Sequence, residues 1–304
     1  MKRTLLCLLA AALLLTALAG CGAPGGEAPK RTFPADAAVS YLGPAGTYTE
    51  SAARRFFGDG ALYQPRATVP DAIADLASGA ADYAVIPQEN TLGGAVVAYV
   101  DALIAARSVS VAGEIILPIS QTLMALPGAT VEGIRTVYSH TQGLVQSAAW
   151  RAQHMPLAAA EEAASTAAAA QKVAESGDLT LAAVAAPGAA ALYGLEVLAE
   201  DVQITDTNKT RFYVLTTEAP ARSGGEHAVF LAGCEAGRLD DIIVALHRAG
   251  FELAALHDRP AGTALGDYNY VIEVCVPGGI AEKQLRAVEQ EEALRFLGCF
   301  DVLE

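Results

Sequence analysis

In the stretch TDTNKTRFYVL a hydroxyl, a guanidinium and an aromatic ring, Thr210, Arg211 and Phe212, stand side by side where a polar run meets the apolar start of a strand. A threonine hydroxyl is a weak acid, but a positioned one backed by a proton relay can donate to a departing oxygen. A guanidinium offers a planar fork matched to a carboxylate, and lysine would serve less well there. The competing use for Arg211 is a salt bridge between parts of the fold. Phe212 is most simply a strand core residue whose ring reaches a cleft wall. The triplet suits the binding and reaction of a small anion.

Other polar residues recur where an apolar run gives way to a helical one. They are Thr47 in the first such place, Asn90 and Thr91 in the second, Ser139, His140 and Gln142 in the third, and Ser165 and Thr166 in the fourth. Helix starts carry free backbone N–H groups and the positive end of the helix dipole, which together receive carboxylates. Each of these residues taken singly is an ordinary cap, and only their repetition makes a site. His140 either adds charge when protonated or, neutral, fixes its turn. Glu89 cannot meet an anion while ionised, so its expected work is to orient Arg211 or cap its own helix.

The elements that must position these groups follow one theme: a short apolar run, a polar turn, then an alanine-rich amphipathic helix. AVSYLG leads through PAGTYT into ESAARRFF, and DYAVIP through QENTLGG into AVVAYVDALIAA; IRTVYSH leads into GLVQSAAWRAQH, and AAAEEAAS into AAAAQKVAES. Such alternation predicts an α/β fold with mainly parallel strands, whose C-terminal ends open on one crevice. Thr47 and Glu50 have capping-box spacing, so Thr47 is expected to cap a helix beginning near Tyr48. After Leu215 the pattern changes. TTEAPARSGGE reads as a linker, and the remainder as strand, helix, strand, strand, helix, strand, the ferredoxin-like split βαβ order. The expected divisions are 39–217 for the α/β part and 226–304 for the smaller α+β part.

The N-terminus stands apart. Lys2 and Arg3, an apolar run from Leu5 to Leu18 and the ending LAGC have the layout of a secretory signal over residues 1–20. LAGC resembles a bacterial lipobox, which implies that Cys21 is the first mature residue and carries lipid. A Gly/Pro/Ala-rich tether, 21–38, would then hold the folded part off a membrane, on the periplasmic or outer cell-surface side. Without Lys2 and Arg3 the chain is more acidic than its full-length net charge of −14. Nucleic acid and anionic headgroups are therefore poor direct partners. Cys234, Cys275 and Cys299 form no CxxC or Cys/His cluster, so no metal is expected and the thiols read as small buried apolar groups.

YLGPAGTYTESAA, VIPQENTLGG, YSHTQGL, STAAAA and NKTRFYVL, in that order, resemble prephenate dehydratase, and the segment that follows resembles the ACT regulatory domain of those enzymes. The resemblance implies a two-lobed catalytic domain like a type II periplasmic binding protein, followed by the ACT domain. It implies conversion of prephenate to phenylpyruvate in phenylalanine biosynthesis, without cofactor or metal, by a homodimer or homotetramer. Thr210 becomes the donor to the departing hydroxyl and Arg211 a carboxylate ligand, with Thr47, Asn90, Thr91, Ser139, His140, Gln142, Ser165, Thr166 and Phe212 as substrate contacts. Phenylalanine as effector would meet Gly237, Leu239, Arg259 and Pro260. The match departs from the family where Ala45 replaces a usual glutamate, where Arg238 stands for a small residue, and where His257 replaces a glutamate. Two other activities fit the same residues: arogenate dehydratase, and a non-catalytic lipid-anchored solute-binding or amino-acid-sensing protein.

Overall fold

The computed structural model describes residues 32–304. The signal segment, the lipobox cysteine Cys21 and the tether up to residue 31 lie outside the described residues. Among the described residues, no helix is long and apolar enough to cross a membrane.

The strands in chain order are β1 (Ala38–Leu42), β2 (Leu62–Arg66), β3 (Tyr83–Asn90), β4 (Gly94–Ala95), β5 (Ser110–Pro118), β6 (Thr122–Ala125), β7 (Thr136–Ser139), β8 (Ala159–Glu162), β9 (Leu181–Ala185), β10 (Glu196–Ala199), β11 (Lys209–Thr216), β12 (His227–Glu235), β13 (Glu252–Pro260), β14 (Asp267–Cys275), β15 (Leu294–Phe300) and β16 (Val302–Leu303). They form three sheets. The first has the order β16-β5-β11-β3-β1-β2 with β4 beside β3, and the second β10-β6-β9-β7-β8. The chain leaves the first sheet after β5, builds the second, and re-enters through β11. Two crossings between two lobes is the type II periplasmic-binding-protein arrangement.

The mainly parallel sheet expected is only half realised: β1 runs parallel to β2 and β3, and β16 to β5, but β11 is antiparallel to both β3 and β5, and β4 to β3. The physical reason is the return crossing: a strand arriving from the other lobe enters the sheet from the opposite end. The crossings lie side by side, Ile119 N donating to Asn208 O at 2.8 Å and Val202 N to Gln121 O at 2.9 Å.

Local sequence explains the helices that flank the cleft. Thr47 caps Tyr48–Phe57 by accepting from Glu50 N, while the Glu50 carboxylate reaches back to Gly46 N at 2.6 Å. This is the expected capping box displaced by one residue. Ser165 caps Thr166–Ser176 by accepting from Ala168 N at 3.0 Å, and Gly177 ends that helix at φ 67°, a left-handed conformation suited to glycine. The single helix expected over GLVQSAAWRAQH is instead two, Thr141–Gln146 and Ala148–His154. Ser147 at the break back-bonds to Gly143 O at 2.7 Å, which bends a helix.

The third sheet, order β13-β14-β12-β15, is antiparallel throughout, with helices Ala236–Arg248 and Glu282–Val288 inserted in the split βαβ order. One face packs on its own helices through Phe230, Ile272, Ile242 and Leu285. The other joins the first lobe's core, where Val229, Val271 and Leu297 meet Tyr99, Tyr213 and Leu215.

Candidate active site

A cleft of about 290 Å³ opens where the two lobes face each other, and Thr47, Asn90, His140, Gln142, Ser165, Thr166, Thr210 and Phe212 all line it. Five separate chain segments thus bring their polar turns to one place. Its other walls are Tyr48, Thr49, Pro87, Ile119, Gln121, Gly143, Gln146, Ala164 and Asn208.

Three sequence-derived candidates lie elsewhere. Ser139 is fully buried and donates to Val184 O at 2.6 Å, tying β7 to β9. Thr91 accepts from Lys209 N at 2.8 Å and donates to Thr207 O at 3.1 Å, which ties the return crossing to the turn after β3. Arg211 faces away from the cleft. Successive side chains of a strand point to opposite faces, so Thr210 and Phe212 reach the cleft and Arg211 cannot. Its guanidinium is bidentate to Glu114, at 2.5 and 2.8 Å, and also meets Glu273 at 2.5 Å and Glu89 at 3.4 Å. The salt-bridge use of Arg211 is the one realised, with Glu89 orienting it. Among the described residues no lysine or arginine lines the cleft.

What the cleft offers an anion is therefore dipolar. The starts of Tyr48–Phe57 and Thr166–Ser176 both open on it, each with unpaired first-turn N–H groups that favour negative charge. His140 accepts from Gln142 N at 3.4 Å, the turn-fixing role. Gln142 donates to Asn90 Oδ1 at 3.2 Å across the lobes, and Gly93 lets it come that close, since a Cβ there would lie 2.8 Å from Gln142 Nε2.

Thr210 is positioned by Asn90. Asn90 Oδ1 accepts from Leu92 N at 3.0 Å and Gly93 N at 2.9 Å, which fixes the amide so that Nδ2 donates to Thr210 Oγ1 at 2.9 Å and Asn208 Oδ1 at 2.7 Å, with Lys209 O a longer acceptor at 3.1 Å. Thr210 Oγ1 thus already accepts a bond, and among the described residues no acceptor takes its hydrogen. The hydroxyl is left to donate into the cleft.

Of the unanticipated wall residues, Gln146 was legible one helical turn beyond Gln142, and Asn208 sits in the same polar run as Thr210. Gln121 lies on the outgoing crossing, where no motif marks it. It donates to Gln146 Oε1 at 2.9 Å.

Behind the strand, burial pushes the Glu114 carboxyl up to about 7 against the opposing pull of Arg211. Burial acts on Glu273 in the same sense, but His227, Arg211 and Tyr213 outweigh it and hold that carboxyl down at about 2. Arg211 stays protonated: burial alone would lower it, and its carboxylates raise it.

Gly237 and Leu239 lie in the first turn of Ala236–Arg248, and Arg259 and Pro260 end β13 at the same end of the third sheet. Arg259 turns to the first lobe, paired with Asp101 at 2.6 Å. Cys234, Cys275 and Cys299 are free thiols; of the three expected to be buried only Cys299 is, where burial pushes it up to about 12, while Cys234 and Cys275, at the ends of their strands, are half-buried. Among the described residues no group of His, Cys, Asp and Glu could hold a metal ion.

The prephenate dehydratase family model matches residues 39–220. A bifunctional chorismate mutase/prephenate dehydratase of Neisseria gonorrhoeae is 32% identical over 262 residues, covering 86% of this chain and 70% of that one. The prephenate dehydratase of Arthrobacter aurescens, solved in complex with L-Phe, superposes with a TM-score of 0.77 at 29% identity, over 87% of this chain and 90% of that one. GqqA, described as a novel type of quorum quenching acylase, superposes with a TM-score of 0.76 at 26% identity, over 86% of this chain and 97% of that one.

Proposed function

This chain belongs to the prephenate dehydratase family, and we propose that Thr210 in the interlobe cleft is the donor that releases hydroxide from prephenate. The substrate is a cyclohexadiene with two carboxylates and a ring hydroxyl. The bond from the ring to its carboxylate breaks and releases carbon dioxide, the freed electron pair completes the aromatic ring, and the ring C–O bond breaks as hydroxide leaves with the Thr210 hydroxyl proton as water, a proton from solvent restoring the threonine. Aromatisation makes the reaction strongly downhill, so the protein need only hold the dianion and assist the leaving group.

The observation that carries this reading is the Asn90 Nδ2 bond to Thr210 Oγ1 at 2.9 Å. With its oxygen occupied, the threonine hydrogen points to whatever fills the cleft. The helix starts at Tyr48 and Thr166 suit the carboxylates, with Gln142, Gln121 and Asn208 as neutral donors. In the folded chain from Thr32 onward, Thr210→Ala should lower phenylpyruvate formation from prephenate by about a hundredfold or more. Unchanged turnover in that variant would remove Thr210 from the chemistry. Arogenate assayed in parallel separates the two dehydratase activities.

We read the C-terminal module as an ACT domain, supported by its split βαβ order, with phenylalanine as effector. Calorimetric titration with phenylalanine tests this, and the Arg259–Asp101 pair would have to open for Arg259 to take part. A homodimer or homotetramer paired through edge strand β13 is our reading of the assembly, supported by Leu253 on that strand being 50% exposed; a monomer by analytical ultracentrifugation would refute it. Lipidation at Cys21 on an exported chain rests on the LAGC sequence. Mass spectrometry of the membrane fraction, finding either a lipidated or a free Cys21 peptide, decides it.

A further inference from the structure

The face of β11 turned away from the cleft carries a buried cluster that the proposed chemistry does not use. Glu114 is fully buried and Glu273 is 1% exposed. Taking two carboxylates out of water is costly, and pairing them seldom yields more stability than an apolar replacement would. What such a cluster supplies is geometry.

Glu273 belongs to β14 of the third sheet, yet three of its four partners among the described residues, Arg211, Tyr213 and Gln88, belong to the first lobe. Oε1 accepts from Arg211 Nη2 at 2.5 Å and lies 3.3 Å from His227 Nδ1. Oε2 accepts from Tyr213 Oη at 2.6 Å and from Gln88 Nε2 at 3.2 Å. Arg211 and Tyr213 alternate on β11 with Thr210 and Phe212, so the carboxylate grips the rear of the strand whose front carries the reacting hydroxyl. Gln88 is the extra residue of a bulge in β3, where Arg211 pairs with Glu89 but Phe212 pairs with Pro87. The bulge turns Gln88 and Glu89 together to the rear, while Pro87 and Asn90 line the cleft. One carboxylate therefore holds both strands that present Thr210 and its positioning amide.

We propose that Glu273 is a positioning residue for the dehydration, acting through Arg211 and Gln88 on Thr210 and Asn90. The C-terminal module thus completes the active site from behind. This rests on the dehydratase reading of the cleft.

The test is Glu273→Gln in the full folded chain. Glutamine keeps the volume, but its amide nitrogen meets the Tyr213 and Gln88 donors. The expected result is a fall in kcat of roughly tenfold to a hundredfold, since a misplacement near 1 Å can cost that much, with KM changed less than about twofold. In a Thr210→Ala background the same substitution should cost less than about twofold more, because no hydroxyl remains to be aimed. A kcat equal to wild type, or an equal loss in both backgrounds, overturns the positioning role. A wild-type chain without turnover would sink the dehydratase reading and this inference with it, whereas wild-type turnover with an unaffected variant sinks only this inference. Should Glu273→Gln not fold, Tyr213→Phe removes one of the same bonds while keeping the ring, and is read the same way.

Discussion

Replacing Asn90 should reverse the usual order of severity, with aspartate worse than alanine. The Asn90 amide accepts from the Leu92 and Gly93 N–H groups through Oδ1 and donates to Thr210 Oγ1 through Nδ2. Alanine deletes both functions, but the Thr210 hydroxyl keeps its hydrogen for the substrate and loses only its orienting bond. A neutral bond of that kind is worth about 1 kcal/mol, so kcat should fall about five- to tenfold. Aspartate keeps the two turn bonds, and Asn208, whose buried Nδ2 has no partner among the described residues, can rotate its amide toward the new carboxylate. The aspartate, however, is an acceptor 2.9 Å from Oγ1. It draws the threonine hydrogen away from the leaving hydroxyl. Losing a transition-state donor costs about 2.7–4 kcal/mol, so kcat should fall about 10²- to 10³-fold. Both variants are compared on kcat from steady-state phenylpyruvate formation, because a carboxylate beside a dianion raises KM independently. If Asn90→Asp turns over as fast as Asn90→Ala or faster, the hydroxyl is not oriented by that amide, and the proposed aim of Thr210 is wrong.

Three further outcomes follow from the same geometry. Arg211→Met leaves Glu114 and Glu273 without their cation and should lower unfolding stability by about 3–5 kcal/mol in urea, while KM for prephenate stays within about twofold; a KM raised tenfold with an unchanged midpoint would put the guanidinium back in the cleft. The cluster should also shape stability against pH. Glu273, held at about 2, stabilises above its ordinary 4.5 and loses that contribution as pH falls below it. Glu114, pushed up to about 7, favours folding below 4.5 and loses that contribution as pH rises through 7. Glu273→Gln should flatten the acid limb of a urea-midpoint profile and Glu114→Gln the limb between 4.5 and 7; parallel profiles in all three proteins would refute the assignment. Finally, Gly93→Ala places a Cβ 2.8 Å from Gln142 Nε2 and should break the interlobe bond to Asn90. About 1 kcal/mol of lost closure predicts a five- to tenfold rise in KM at unchanged melting temperature, and an unchanged KM would show that this bridge does not shape binding.

Much of the site was legible in the chain because turn chemistry is local. Thr47, Ser165 and His140 cap helices through bonds spanning two or three residues, and such bonds depend on residue type and spacing alone. The alternation of short apolar runs with alanine-rich helices determined the layered α/β class for the same reason, and five motifs in order determined the family. Even the orientation of Arg211 was within reach, since the two-residue period of a strand separates it from Thr210. What tertiary structure alone decided is what depends on partners far along the chain. The return crossing made β11 antiparallel and set Asn90 against Thr210, 120 residues apart. Face-on docking of the third sheet supplied Glu273, 62 residues from Arg211. A glutamate in the middle of the apolar strand YNYVIEVC carries no local sign of the cation it will meet, because the pairing is enforced only once two sheets exclude water between them.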